Sequence, residues 1–243
     1  MPDSGVTVMR EDRICRITLP GGTWTAGHAR SLRAAAEQLI EDRDVRAVVI
    51  ETTGADFCSG LATDLDPLAA DVDPTRALAR IRVPVVALLR GAVASVGLEV
   101  ALTADLRLAA PDVRCWLPEV PSGRLPCWGG TQRLPRVVGV AEALRLLLLG
   151  ETVDAERAFR IGLVHEVALD PAERAAQTLR TWQARGPLAL EYAKEAVLAG
   201  AELPVREGLG LEADLNALLQ VSDDRAEGIA AFLEKRDARF TGR

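Results

Sequence analysis

Two glutamates stand out in this chain because each is a lone carboxyl in an apolar setting. Glu99 lies in Ala94-Ser95-Val96-Gly97-Leu98-Glu99-Val100-Ala101-Leu102, where small residues precede a helical pattern. The first N–H groups of a helix lack intrahelical acceptors and sit at its positive end, so such a turn can cradle developing negative charge. Glu99 follows about one turn later. Burial there disfavours the charged form and lifts the carboxyl pKa, which suits general acid/base work. Glu119 is the only charge between Cys115 and Pro121, and the prolines beside it predict an extended, rigid backbone. Either glutamate alone reads more readily as a structural carboxylate that caps a helix or pairs with an arginine. Two such carboxyls, 20 residues apart, point to paired acid/base chemistry.

The elements that must position them follow from periodicity. Residues 6–10 and 13–19 read as a hairpin around Glu11-Asp12, and Pro20-Gly21-Gly22 ends its second strand. Leu32, Ala35, Ala36, Leu39 and Ile40 recur at helical spacing within 27–42. Strand-length apolar runs cover 46–51, 83–89 and 106–109. Between them the pattern predicts a loop over 52–60, a helix over 67–81, a small-residue turn over 91–97 and a helix over 96–103. From Gly129 the pattern is mostly helical: 129–136, 140–149, 154–161, 171–184, 187–199, 204–220 and 222–235, with a strand at 163–167. No linker or repeat separates the halves. The reading is one α/β domain, with a mixed core over 1–190 and a helical region over 191–243 that caps the core or packs between subunits.

Composition bounds the rest. A chain of 243 residues, 49% hydrophobic, can bury one large core. Its net charge of −6 and pI near 5.1 argue against nucleic acid as a partner. Arg124, Arg133, Arg136 and Arg145 read as a solvated or subunit-contacting face. Cys15, Cys58, Cys115 and Cys127 include no CxxC pair, and only His28 and His165 could join them. Reduced thiols are expected, with neither a zinc site nor a disulfide framework. Residues 1–13 carry charges where a signal peptide needs an apolar core, and the stretch 137–149 is broken by Glu142 and Arg145. These features predict a cytoplasmic protein that does not enter membranes.

Longer motifs carry a resemblance. They are Phe57-Cys58-Ser59-Gly60-Leu61 with Asp64-Leu65, Arg90-Gly91-Ala92-Val93-Ala94-Ser95-Val96-Gly97-Leu98-Glu99, and Pro118-Glu119. Further on come Gly129-Gly130-Thr131-Gln132-Arg133-Leu134-Pro135-Arg136 with Val138-Gly139, Ala158-Phe159-Arg160-Ile161-Gly162-Leu163-Val164, and Phe240-Thr241-Gly242-Arg243. Together, over residues 45–243, they resemble the enoyl-CoA hydratase/isomerase (crotonase) superfamily, and the Gly-Gly-Thr-Gln-Arg-Leu-Pro-Arg string is its most specific part.

The resemblance implies a crotonase-like spiral of ββα units with a helical C-terminal trimerisation region, assembled as a homotrimer or a dimer of trimers. It implies an enoyl-thioester hydratase or 3-hydroxyacyl-thioester dehydratase, working by syn addition or loss of water through an oxyanion-stabilised enolate. The backbone N–H groups of Leu61 and Val96 would form the oxyanion hole. Glu99 would hold and activate water, and Glu119 would exchange a proton with C2. Trp24, Thr25, Ser59, Gly60, Asp64, Leu65, Gly97, Pro118 and Trp128 would contact substrate. No metal or cofactor is implied, because CoA or pantetheine is part of the substrate. The setting would be fatty-acid or secondary metabolism.

Four departures bear on this. Pro20-Gly21-Gly22-Thr23-Trp24-Thr25-Ala26 replaces the family's adenine-contacting loop, which leaves room for an acyl group on a carrier protein. Ala62-Thr63 reads as an insertion, so the first oxyanion donor lies somewhere in 61–63. The stretch from Asp64 to Pro84 is short, suggesting a more open pocket or one completed by a neighbouring subunit. Ser95-Val96 and Cys127-Trp128 replace small residues, and β-branched Val96 resists φ > 0. Two alternatives stand beside the hydratase: a decarboxylase or double-bond isomerase on the same scaffold, and a non-catalytic partner retaining the fold.

Overall fold

The structure is a computed structural model that describes residues 5–243. Its chain repeats one motif, a long strand, a very short strand and a helix. β1 (Thr7–Glu11) is the antiparallel partner of β2 (Ile14–Leu19). The first unit is β2, β3 (Thr23–Trp24) and α1 (Ala26–Glu41); the second is β4 (Ala47–Thr52), β5 (Gly60–Leu61) and α2 (Thr75–Leu78). The third is β6 (Val85–Leu89), β7 (Ala92–Ala94) and α3 (Val96–Ala101). β8 (Leu106–Ala109) and β9 (Arg114–Trp116) begin a fourth, which closes with a 3-10 turn at Val120–Ser122. There follow α4 (Gly130–Val138), α5 (Val140–Leu149), β10 (Val153–Asp154), α6 (Ala155–Arg160), β11 (Glu166–Val167) and α7 (Pro171–Gln183).

The long strands form one sheet in the order β1-β2-β4-β6-β8-β11, parallel from β2 onward. The short strands pair separately as β3-β5 and β10-β9-β7, and a Cys58–Val93 bridge joins these two small sheets. This is the ββα spiral. β6 is buried at every position and β4 at all but Glu51, as strands covered on both faces must be. α1 starts where Thr25 and His28 form a reciprocal cap, and it buries Ala29, Leu32, Ala36 and Leu39.

Several elements differ from the pattern-based reading. The helix over 67–81 shrinks to Thr75–Leu78. Asp66 binds the Leu68 N–H and Asp73 binds the Thr75 N–H, so local side-chain turns win, and Pro74 bars helix at the residue before it. The expected turn over 91–97 holds strand β7, and β3, β5, β9 and β10 are additional short strands. The strand at 163–167 contracts to Glu166–Val167. Glu119 is helical, with φ −64° and ψ −52°, because Pro121 fits the first turn of the 3-10 segment that follows it.

The chain forms two compact units. One runs to Ile81 and resumes over Val85–Ala175; the other comprises Arg82–Pro84 and Ala176–Arg243. In the second, α8 (Pro187–Gly200) packs on α9 (Val205–Gln220), followed by α10 (Asp223–Glu234). Buried Asp224 accepts the Thr241 and Gly242 N–H groups and ties down the last residues. Among the described residues no helix is long and apolar enough to cross a membrane.

Candidate active site

β7 passes into α3 without a loop, and the backbone makes that corner at Ser95, with φ 53° and ψ −132°. Positive φ therefore falls on Ser95, while Val96, where the sequence suggested strain, is an ordinary first helical residue. The helix enters close over Cys58: a Cβ on Gly97 would lie 2.2 Å from the Cys58 Cβ. Cys58 in turn donates its N–H to Ala92 O and accepts from the Ala94 N–H, and Ser95 donates to Trp116 O at 3.2 Å. These bonds stitch together the three segments that carry Leu61, Val96 and Glu119. The Ala62 N–H is committed to Trp24 O at 2.8 Å, which removes it from the candidate donors over 61–63. Among the described residues the Val96 N–H has no acceptor.

Glu99 is 1% exposed. Its Oε1 accepts from the Trp128 N–H at 2.8 Å and the Gly130 N–H at 2.7 Å. Gly130 begins α4, and a Cβ there would sit 3.0 Å from this oxygen. Burial pushes the Glu99 pKa up to about 7, against the two N–H bonds that favour the anion and with the help of the neighbouring Glu119 charge. Glu119 is also buried, and its Oε1 accepts from Ser95 Oγ. Among the described residues, Glu99 Oε2 and Glu119 Oε2 are the two buried side-chain oxygens or nitrogens without a hydrogen-bond partner. Buried polar atoms are nearly always satisfied. Two orphaned carboxylate oxygens in one place are the signature of a site that expects a ligand.

Both glutamates line one cavity of about 650 Å³, together with Leu61, Ser95 and Val96. Its outer walls come from Asp66, Pro67 and Leu68 on one segment and from Val120, Gly123, Arg124, Leu125 and Cys127 on another. Of the residues expected from sequence, Leu61, Val96, Glu99 and Glu119 thus come together. The others do not line this cavity. Trp24 is fully buried, tilts against Phe57 and donates its indole N–H to Phe57 O. Thr25 caps α1, and Asp64 accepts the Ala26 N–H. Ser59 donates its N–H to Gly22 O, and Gly60 O takes the Cys58 thiol. Leu65 is buried, Gly97 serves the close approach to Cys58, and Pro118 O caps the Ser122 hydroxyl. Trp128 is 1% exposed with its indole N–H on Pro67 O, so its backbone rather than its ring serves Glu99. Ser95 as the partner of Glu119, and the 123–125 wall, escape sequence reasoning. The first depends on a contact across 24 residues, and the second has no periodic pattern.

The sequence profile of the family described as Enoyl-CoA hydratase/isomerase matches residues 12–243. The chain is 34% identical over 256 residues to the 2,3-dehydroadipyl-CoA hydratase of Escherichia coli K12, covering 99% of this chain and 100% of that protein. It is 33% identical over 231 residues to the mitochondrial methylglutaconyl-CoA hydratase of Rattus norvegicus, covering 88% and 73% respectively. Its structure is similar to that of an enoyl-CoA hydratase from Bacillus anthracis, with a TM-score of 0.90, 26% identity, and coverage of 98% and 99%.

Proposed function

The chain belongs to the enoyl-CoA hydratase/isomerase family, and on that footing we propose that it adds water across C2–C3 of a 2-enoyl thioester, or removes it from the 3-hydroxyacyl product. The observation that carries this reading is the pair of unpartnered oxygens, Glu99 Oε2 and Glu119 Oε2, in one cavity. A hydration needs a base for water and an acid for C2, and here two carboxyls face the same space. Glu99, as its carboxylate, takes the proton of the attacking water as O–C3 forms. Glu119 delivers a proton to C2. The single proton shared by the pair then returns from Glu99 to Glu119, which balances the cycle. The enolate oxygen that develops between these steps lies on the Val96 N–H and a donor at Leu61; each such donor contributes about 3 kcal/mol to the transition state.

The acyl carrier is CoA or a carrier protein, since the residues around Trp24 are spent on packing and capping. Large exposed apolar side chains on the second unit, among them Leu198, Leu209, Phe232 and Leu233, support a homotrimer or a dimer of trimers. The test is loss of enoyl absorbance with crotonyl-CoA and with the same acyl group on a carrier protein. Turnover of either is expected. Silence on both, with the protein folded, overturns the reading in favour of a non-catalytic partner.

A further inference from the structure

The cavity wall holds one charge that the hydration does not use. Besides the two glutamates, Asp66 and Arg124 are its charged lining residues. Asp66 is occupied, its Oδ1 accepting the Leu68 N–H at 3.0 Å. Arg124 is not. Its backbone N–H is pinned to Glu119 O at 2.8 Å, which fixes its place next to the acid. Among the described residues its guanidinium meets no acceptor at hydrogen-bond or ion-pair distance. Arg124 is thus an exposed cation at the wall of the cavity, with no carboxylate of the described residues paired to it. Beside it the wall is apolar and bare: Leu68 is 78% exposed and Leu125 70% exposed.

We propose that Arg124 selects enoyl thioesters whose acyl chain ends in a carboxylate. This rests on the hydratase reading and names its substrate class. With C2 and C3 at the free glutamate oxygens, the methylenes beyond C3 run over Leu68 and Leu125 and cover them. A terminal carboxylate then meets the planar guanidinium fork, which matches it bidentately. A terminal methyl leaves the same guanidinium facing hydrocarbon.

The experiment pairs methyl-ended and carboxylate-ended trans-2-enoyl-CoA substrates of graded length and compares kcat/KM within each pair. The carboxylate is expected to be favoured at the length that reaches Arg124. That preference should fall roughly tenfold in Arg124→Gln, the scale of one charge-assisted pair, and invert in Arg124→Glu. An unchanged ratio in both variants overturns the proposal. So does an equal loss on both members of each pair that disappears with pantetheine thioesters, because it would mark Arg124 as a contact of the CoA phosphates. Silence of the unmodified protein on the whole series, by contrast, overturns the hydratase reading itself.

Discussion

The corner from β7 into α3, which carries Glu99, and the segment from β9 into the 3-10 turn, which carries Glu119, present carboxyls to one cavity but secure them by different means. Glu99 is held by main chain. Two backbone N–H groups, one of them opening α4, converge on its Oε1. No side-chain substitution short of proline can delete them. Glu119 is held by a side chain, the Ser95 hydroxyl, itself mounted on a residue at φ 53°. One mount is rigid and insensitive to sequence, whereas the other is adjustable and exposed to single substitutions. Both groups gain and lose a proton in the proposed cycle, so the two mounts differ in what a substitution can reach rather than in what the chemistry asks of them.

The strongest way to break this comparison is to remove each charge without changing shape. Glu99→Gln and Glu119→Gln should each lower kcat by about a thousandfold, within the usual range for a general acid or base. In Glu99→Gln the amide oxygen can accept the same two N–H bonds, so its loss is chemical alone. Steady-state hydration of crotonyl-CoA measures both. A variant that keeps full turnover would strip that glutamate of its role in the hydration. The pH profile sharpens the assignment: protonation of Glu99 removes the base, so hydration should decline as pH falls through about 7, and Glu99→Gln should lack that limb.

The two mounts were unequally visible in the sequence. The long strands, α1 and the apolar turn before Glu99 announce themselves by period and by small residues. β3, β5, β7 and β9 do not, because two or three residues cannot show alternation. Yet it is the pairing of Ala94 with Trp116 that brings Ser95 beside Glu119. The two tryptophans were ambiguous for a different reason. An aromatic ring in a loop reads equally as wall or as core, and only the tertiary packing puts Trp24 on Phe57 and Trp128 on Pro67 O. Glu119 was legible as a carboxyl in apolar surroundings, but not its backbone, since prolines serve a tight turn as readily as an extended run.

The next effect is on stability. The Glu99 pKa is raised, from an ordinary 4.5 to about 7, so the unfolded chain ionises first as pH rises. Stability is therefore lost progressively between those values and stays low above them. Below pH 4.5 both states are protonated and nothing is lost. The cost at pH 8 is about 3 kcal/mol at 1.36 kcal/mol for each pH unit. Glu99→Gln cannot ionise and escapes it. Thermal melts should find this variant more stable than the parent at pH 8 and equal to it near pH 4.5. Equal melts at both values would mean that the carboxylate is better solvated than its burial suggests, and the rigid mount would lose its electrostatic character.

The smallest effect tests the adjustable mount. Ser95→Ala and Ser95→Gly both delete the hydroxyl that holds Glu119, and each should lower kcat roughly tenfold, the scale of one charge-assisted hydrogen bond. They part company in stability. Alanine keeps a Cβ at φ 53°, whereas glycine adopts that backbone freely. The glycine variant should thus be more stable than the alanine variant by about 1 kcal/mol, read by denaturant midpoint at unchanged slope. If the two lose activity equally while differing in stability, the hydroxyl and the strained corner are separable, and Ser95 acts on Glu119 through its oxygen. If activity instead follows the backbone, with glycine active and alanine not, the corner sets the geometry of the Val96 N–H. Ser95 would then belong to the rigid half of the site rather than the adjustable one.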